Sequence, residues 1–129
     1  MRRIAIIATT LMLMLALSAG AAFAATITGH SWAETLTGTA KTDTISGLGG
    51  DDALIGKAGD DFLYGGGGHD ALYGGPGSDK LYGGAGSDLI GSEGDGKVDT
   101  VDCGSGIDAV KKSPIEQLDR FVNCERFVS

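Results

Sequence analysis

Cysteine and proline are scarce in this chain, with two of each in 129 residues, and aromatic residues make up only 6% of it. Against them stand 23 glycines, a bias too strong for an ordinary globular fold and one that gives glycine a positional job. Bases are also few. Acids outnumber them seventeen to ten, for a net charge of −7 that becomes −9 once Arg2 and Arg3 are lost with a leader. Acid this dense repels nucleic acid and anionic membranes. The carboxylates recur at intervals rather than in one block, which suits fixed cation sites better than a disordered acidic tail. Catalytic signatures are missing as well: there is no HExxH to hold a catalytic zinc and no GxSxG elbow to present a serine. Gly91 to Lys97 (GSEGDGK) imitates a phosphate loop, but Val98 stands where Ser or Thr is required. Asp95 to Asp102 is only superficially an EF-hand loop, because Lys97 occupies a ligand position. The chain is therefore expected not to be an enzyme.

The N-terminal apolar run, Ile4 to Leu17, is fourteen residues long and falls short of the roughly 20 that span a bilayer. Arg2 and Arg3 precede it and Ala22-Phe23-Ala24 follows it, the composition of a cleavable secretory signal peptide over residues 1–24, with export of a chain starting at Ala25. Export would place Cys103 and Cys124 in an oxidising compartment, where an even pair is expected to form one disulfide. Metal ligation and free thiols are the alternatives, although no neighbouring histidine or CxxC spacing supports a zinc site.

A repeat of nine residues dominates the remainder. In one frame the chain reads GTAKTDTIS from Gly38, GLGGDDALI from Gly47, GKAGDDFLY from Gly56, GGGGHDALY from Gly65, GGPGSDKLY from Gly74 and GGAGSDLIG from Gly83. The sixth position is always aspartate (Asp43, Asp52, Asp61, Asp70, Asp79, Asp88) and the eighth always aliphatic (Ile45, Leu54, Leu63, Leu72, Leu81, Ile90). A weaker copy, Gly29 to Thr37, carries Glu34 and Leu36 at these places. Beyond Gly91 the frame slips by two residues and resumes as GDGKVDTVD from Gly94 and CGSGIDAVK from Cys103. Within a unit, the three residues after the aspartate alternate in direction, so the aliphatic one points inward from a short strand. The glycines supply turns where the backbone takes positive φ or approaches its neighbour closely. One strand and one turn per unit make two units a circuit. Asp43, Asp61 and Asp79 then line one edge of a stacked coil, and Asp52, Asp70 and Asp88 the other.

The motif GGxGxDxUx resembles the hemolysin-type calcium-binding repeat of the bacterial RTX family. The units from Gly65 to Gly91 match it fully, whereas Leu48 and Lys57 replace the second glycine of two earlier units, and Thr39 and Lys41 replace both later glycines of the first. The resemblance implies an all-β parallel β-roll, a β-helix-like solenoid, in a secreted protein. Residues 25–37 would form a degenerate cap, 38–91 the calcium repeats, and 92–129 degenerate repeats with a disulfide-stapled cap. Calcium takes six to eight oxygens from carboxylates and carbonyls in flexible geometry. Stacked turns supply these from Asp43, Asp52, Asp61, Asp70, Asp79 and Asp88, and from the turn backbone at Gly65, Gly66, Gly68, Gly74, Gly75, Gly77, Gly83, Gly84 and Gly86. About four ions are expected, between Asp52 and Asp70, Asp70 and Asp88, Asp61 and Asp79, and Asp43 and Asp61. With one aliphatic side chain per unit as core, the repeats are expected to fold on binding calcium.

Three features stand outside the metal pattern. His30 and His69 occupy variable turn positions and read as solvated, as do Asp51 and Asp60. Tyr64, Tyr73 and Tyr82 hold the ninth position and should face outward, with Tyr64 and Tyr82 stacked, which is more often surface packing than a glycan-binding ladder. After Lys112 glycine disappears, and either a short helix or a final strand fits Pro114 to Val122. A calcium-folded module contacting glycans or a cell surface, or an accessory module of an enzyme encoded elsewhere, is the competing reading.

Overall fold

A computed structural model describes residues 23–92, 95, 97–112 and 119–128. The expected leader lies outside these apart from Phe23 and Ala24, as do residues 113–118 of the C-terminal segment. The described residues form twelve strands: β1 (Thr26–Thr28), β2 (Thr35–Thr37), β3 (Thr44–Ser46), β4 (Ala53–Ile55), β5 (Phe62–Gly66), β6 (Ala71–Tyr73), β7 (Lys80–Gly84), β8 (Leu89–Ser92), β9 (Thr100–Asp102), β10 (Ala109–Lys112), β11 (Arg120–Val122) and β12 (Arg126–Val128). Odd-numbered strands form one six-stranded sheet and even-numbered strands the other. Every pairing is parallel. The chain thus changes sheet at each turn and winds an all-β parallel solenoid, with no helix among the described residues.

Strands this short survive because each has a neighbour one circuit away and one side chain that escapes water. Along β6, Leu72 is buried while Ala71 and Tyr73 face outward. Ile45, Leu54, Leu63, Leu72, Leu81, Ile90, Val101 and Val110 are all 0% exposed and make a single aliphatic stack between the sheets. The register shows where the sequence frame slips: Leu63 pairs with Leu81, eighteen residues on, but Leu81 pairs with Val101, twenty residues on. The extra pair of residues is absorbed in the turn after β8. Of the two options for the C-terminal segment, its described part takes strand. Phe121 pairs with Val101 and Phe127 with Val110, so β11 and β12 prolong both sheets. The Cys103–Cys124 disulfide fastens this last circuit to the one before, and Cys124 and Phe121 pack on the core.

Stacking imposes the glycines. At the second turn position Gly66 has φ of +90° and at the fourth Gly68 has φ of +98°. A Cβ on Gly66 would run into the carbonyl oxygen of Leu48 in the previous circuit. Leu48 and Lys57 occupy the same place without being glycine, at φ of 70° and 73°. Each follows a turn whose second residue, His30 or Thr39, is not left-handed, so the tightest stacking starts one circuit later.

Opposite outcomes are therefore expected at one turn position. Leu48→Gly should stabilise the calcium-loaded protein by about 1 kcal/mol by relieving a left-handed side chain, while Gly66→Ala should cost about 3 kcal/mol, both read by chemical denaturation. Reduction of the disulfide, or Cys124→Ser, should cost about 3 kcal/mol, the loop-closure value for a separation of 21 residues, measured as a fall in Tm.

Candidate metal centre

Each sixth-position aspartate ends a turn and starts a strand. Its carbonyl joins the sheet ladder, as where Ala71 N–H donates to Asp52 O at 2.8 Å. Its N–H is taken instead by a carboxylate of the next circuit. Asp43 N–H donates to Asp61 Oδ1 at 2.7 Å, and Asp52 to Asp70, Asp61 to Asp79 and Asp70 to Asp88 each at 2.8 Å. The aspartates expected to meet across stacked circuits therefore do so, and they are 0–3% exposed. The ladders run further than the six. Asp79 N–H donates to Asp99 Oδ1, Asp88 to Asp108 Oδ1, Asp99 to Asp119 Oδ1 and Asp108 to Glu125 Oε2, at 2.7–3.0 Å. At the other end Glu34 N–H and Ala25 N–H donate to Asp52 and Asp43. Asp99 and Asp108 already stood at sixth positions of the resumed frame. Asp119 and Glu125 were missed as ladder members, although each precedes its aliphatic-place residue, Phe121 or Phe127, by two, because no glycines mark their turns.

The second carboxylate oxygen decides what the ladders can do. Oδ2 of Asp52, Asp61, Asp70, Asp79, Asp88 and Asp108 is buried with no hydrogen-bond partner among the described residues. In all but Asp108, whose unit begins with Cys103, it lies against the first glycine of its own unit: a Cβ on Gly47 would fall 2.5 Å from Asp52 Oδ2 and 2.8 Å from the carbonyl oxygen of Gly65. A Cβ on Gly56 would fall 2.6 Å from both Asp61 Oδ2 and Gly74 O. Carboxylate and carbonyl oxygens thus crowd the same space at each glycine corner, where a side chain would collide with them. Gly65, Gly74 and Gly83 hold this first position, Gly66, Gly75 and Gly84 the second, and Gly68, Gly77 and Gly86 the fourth, where the φ values are positive.

Unpaired burial is electrostatically costly. Loss of water pushes the Asp61 carboxyl up to about 6, Asp88 to about 7 and Asp79 to about 8; ladder hydrogen bonds pull them back down, and neighbouring carboxylates raise them again. Asp52, Asp70 and Asp108 move the same way for the same first cause. Among the described residues no three His, Cys, Asp or Glu side chains gather as a compact metal cluster. A cation at these corners would take much of its shell from carbonyl oxygens, the donor set of a hard ion such as calcium rather than of zinc. Desolvated, unpartnered carboxylate oxygens beside turn carbonyls fit calcium.

A profile of the RTX calcium-binding nonapeptide repeat (4 copies) matches residues 33–63, 55–90 and 64–98, half of the chain. The chain belongs to the RTX calcium-binding nonapeptide repeat family. No curated protein matches it. Outside its metal corners the RTX coil carries further columns. Exposed Asp51 accepts the N–H of His69 and exposed Asp60 that of Ser78, while His69 Nδ1 accepts the N–H of Ser87. These side chains bridge circuits at the solvent face. Tyr64 and Tyr82 stack as expected, with ring centroids 4.9 Å apart, and Trp32 stacks on His30 at 4.3 Å.

The raised carboxyls fix a pH dependence for the calcium-free coil. An acid whose folded pKa lies above its unfolded value of about 4 favours folding while protonated, and that stability is lost as pH rises through the folded pKa. The calcium-free protein should therefore lose β structure between about pH 4 and pH 8, followed by circular dichroism in chelator. A signal that strengthens toward pH 8 would contradict this electrostatic account.

Proposed function

We propose that this protein is an exported calcium-binding module with a structural or cell-surface role, whose coil orders when calcium binds. The observation that carries the reading is the set of six buried aspartate oxygens that have no hydrogen-bond partner among the described residues. Bound calcium would supply the positive charge that these corners lack. Asp52, Asp61, Asp70, Asp79 and Asp88, with the turn carbonyls beside them, are the residues to hold it; Asp108 extends the set beyond the sequence-based one. Extracellular calcium modules commonly have Kd near 10⁻⁴ M, so about 1 mM calcium stabilises by roughly 1.4 kcal/mol per site. Several such sites are comparable to the whole stability of a small domain, which supports coupled folding. Export agrees with the leader-like residues 1–24 and with a disulfide, a bond that persists in oxidising compartments.

A binding role is favoured over catalysis because the acidic residues at the corners are accounted for by cation ligation. Contact with glycans through the tyrosine column is the weaker alternative, since Tyr64 and Tyr82 cover each other's facing sides. Circular dichroism during a calcium titration at pH 7.5 should show β structure appearing near millimolar calcium, and Asp70→Ala should need several-fold more. A chain that takes up no calcium at millimolar concentration would falsify the proposal.

A further inference from the structure

The two edges of the coil differ at their ends. One edge carries Glu34, Asp52, Asp70, Asp88, Asp108 and Glu125; the other carries Asp43, Asp61, Asp79, Asp99 and Asp119. Asp43, at the start of the second edge, is fully buried like its neighbours, yet its carboxylate is saturated. Oδ1 accepts the N–H of Ala25 at 2.7 Å and the Thr39 hydroxyl at 2.9 Å. Oδ2 accepts the N–H of Thr39 at 2.5 Å, and the same hydroxyl lies 3.1 Å from it. One circuit on, Lys57 occupies the Thr39 position, and Asp61 Oδ2 has no such partner.

The difference goes with the backbone of the turn. A β-branched threonine resists the left-handed conformation, and neither Thr39 nor Lys41 adopts it. The turns starting at Gly47, Gly56, Gly65, Gly74, Gly83 and Cys103 adopt it at both corresponding positions. Freed from that geometry, the Thr39 N–H and hydroxyl turn onto Asp43, and Lys41 N–H donates to the Thr39 hydroxyl at 3.1 Å. A related device stands at the far end of the same edge. Ser92 takes the corner place that glycine holds elsewhere, and its hydroxyl meets Asp119 Oδ2 and lies 3.4 Å from Asp99 Oδ2. Asp61 and Asp79, between the two hydroxyls, keep an unpartnered oxygen.

We propose that Thr39 is a built-in stand-in for the cation, closing the Asp43 end of this edge so that calcium is held there only from Asp61 onward. The inference rests on the calcium reading above and sets where the row of ions stops. It also makes Thr39, rather than any acid, the residue that determines the stoichiometry at this end. Glycine at position 39 removes the hydroxyl and lets the backbone there take the left-handed conformation of the other turns, which carries its N–H away from Asp43 Oδ2, whereas serine keeps the hydroxyl.

The test is calorimetric titration of the disulfide-intact protein with calcium chloride. Thr39→Gly should bind one more calcium per chain than wild type, and Thr39→Ser the same number. Asp43→Asn should leave the number unchanged, while Asp61→Asn should lower it. If Thr39→Gly does not fold, the Asp43→Asn and Asp61→Asn pair decides alone. A wild type that binds calcium, together with a Thr39→Gly that gains none or an Asp43→Asn that loses one, overturns the role of Thr39 and leaves the calcium reading standing. A wild type that binds no calcium removes both.

Discussion

Everything in this coil hangs on one contact, the aspartate carboxylate that accepts the backbone N–H of the aspartate one circuit earlier. It fixes the height and register of each turn on the last, because the donor belongs to the main chain and the acceptor sits at the end of a short side chain on the next one. It also drags the acid out of water. One oxygen is thereby satisfied and the other is left facing carbonyls and a glycine. The interaction that aligns the stack is thus the one that charges its edges, and a cation is the economical remedy for both edges at once.

The glycines follow from that contact rather than from any general looseness of the chain. At the first position a side chain would meet the unit's own Asp Oδ2, and at the second it would meet a carbonyl of the circuit before. Leu48 and Lys57 show the limits of the rule. Each tolerates a left-handed φ because the turn beneath it is built differently, so departures from the consensus cluster in the first circuits. Next to the place where the frame gains two residues, Ser92 replaces glycine and its hydroxyl meets the carboxylates of Asp99 and Asp119.

The strand positions, the alternation of sheets and the eighteen-residue stacking of acids could all be read from the nine-residue spacing, since the period is short and its sixth and eighth places do not vary. The disulfide was legible from cysteine number together with the leader-like composition of residues 1–24. What escaped were the ladder members without glycine. Asp119 and Glu125 keep the acid-x-apolar spacing, but their turns are of other lengths, with an offset of twenty residues before Asp119 and seventeen before Glu125. The different state of Asp43 was half visible. Thr39 and Lys41 broke the pattern on paper, but only coordinates show that Thr39 fills the gap it creates.

Along its axis the coil changes its means of cohesion. At the start, Glu34 accepts the backbone N–H of His30 and lies 3.2 Å from its ring nitrogen, and Thr39 serves Asp43. At the finish a disulfide and the Phe121–Phe127 edge contact hold the last circuit. These devices need no ion. The central circuits have a one-residue-deep aliphatic stack and acids that each keep one oxygen without a partner among the described residues, so they have the most to gain from a cation. A solenoid built in this way would keep its termini ready as templates and let the middle answer to calcium, because the cost of ordering glycine-rich turns falls on the circuits that an ion can repay.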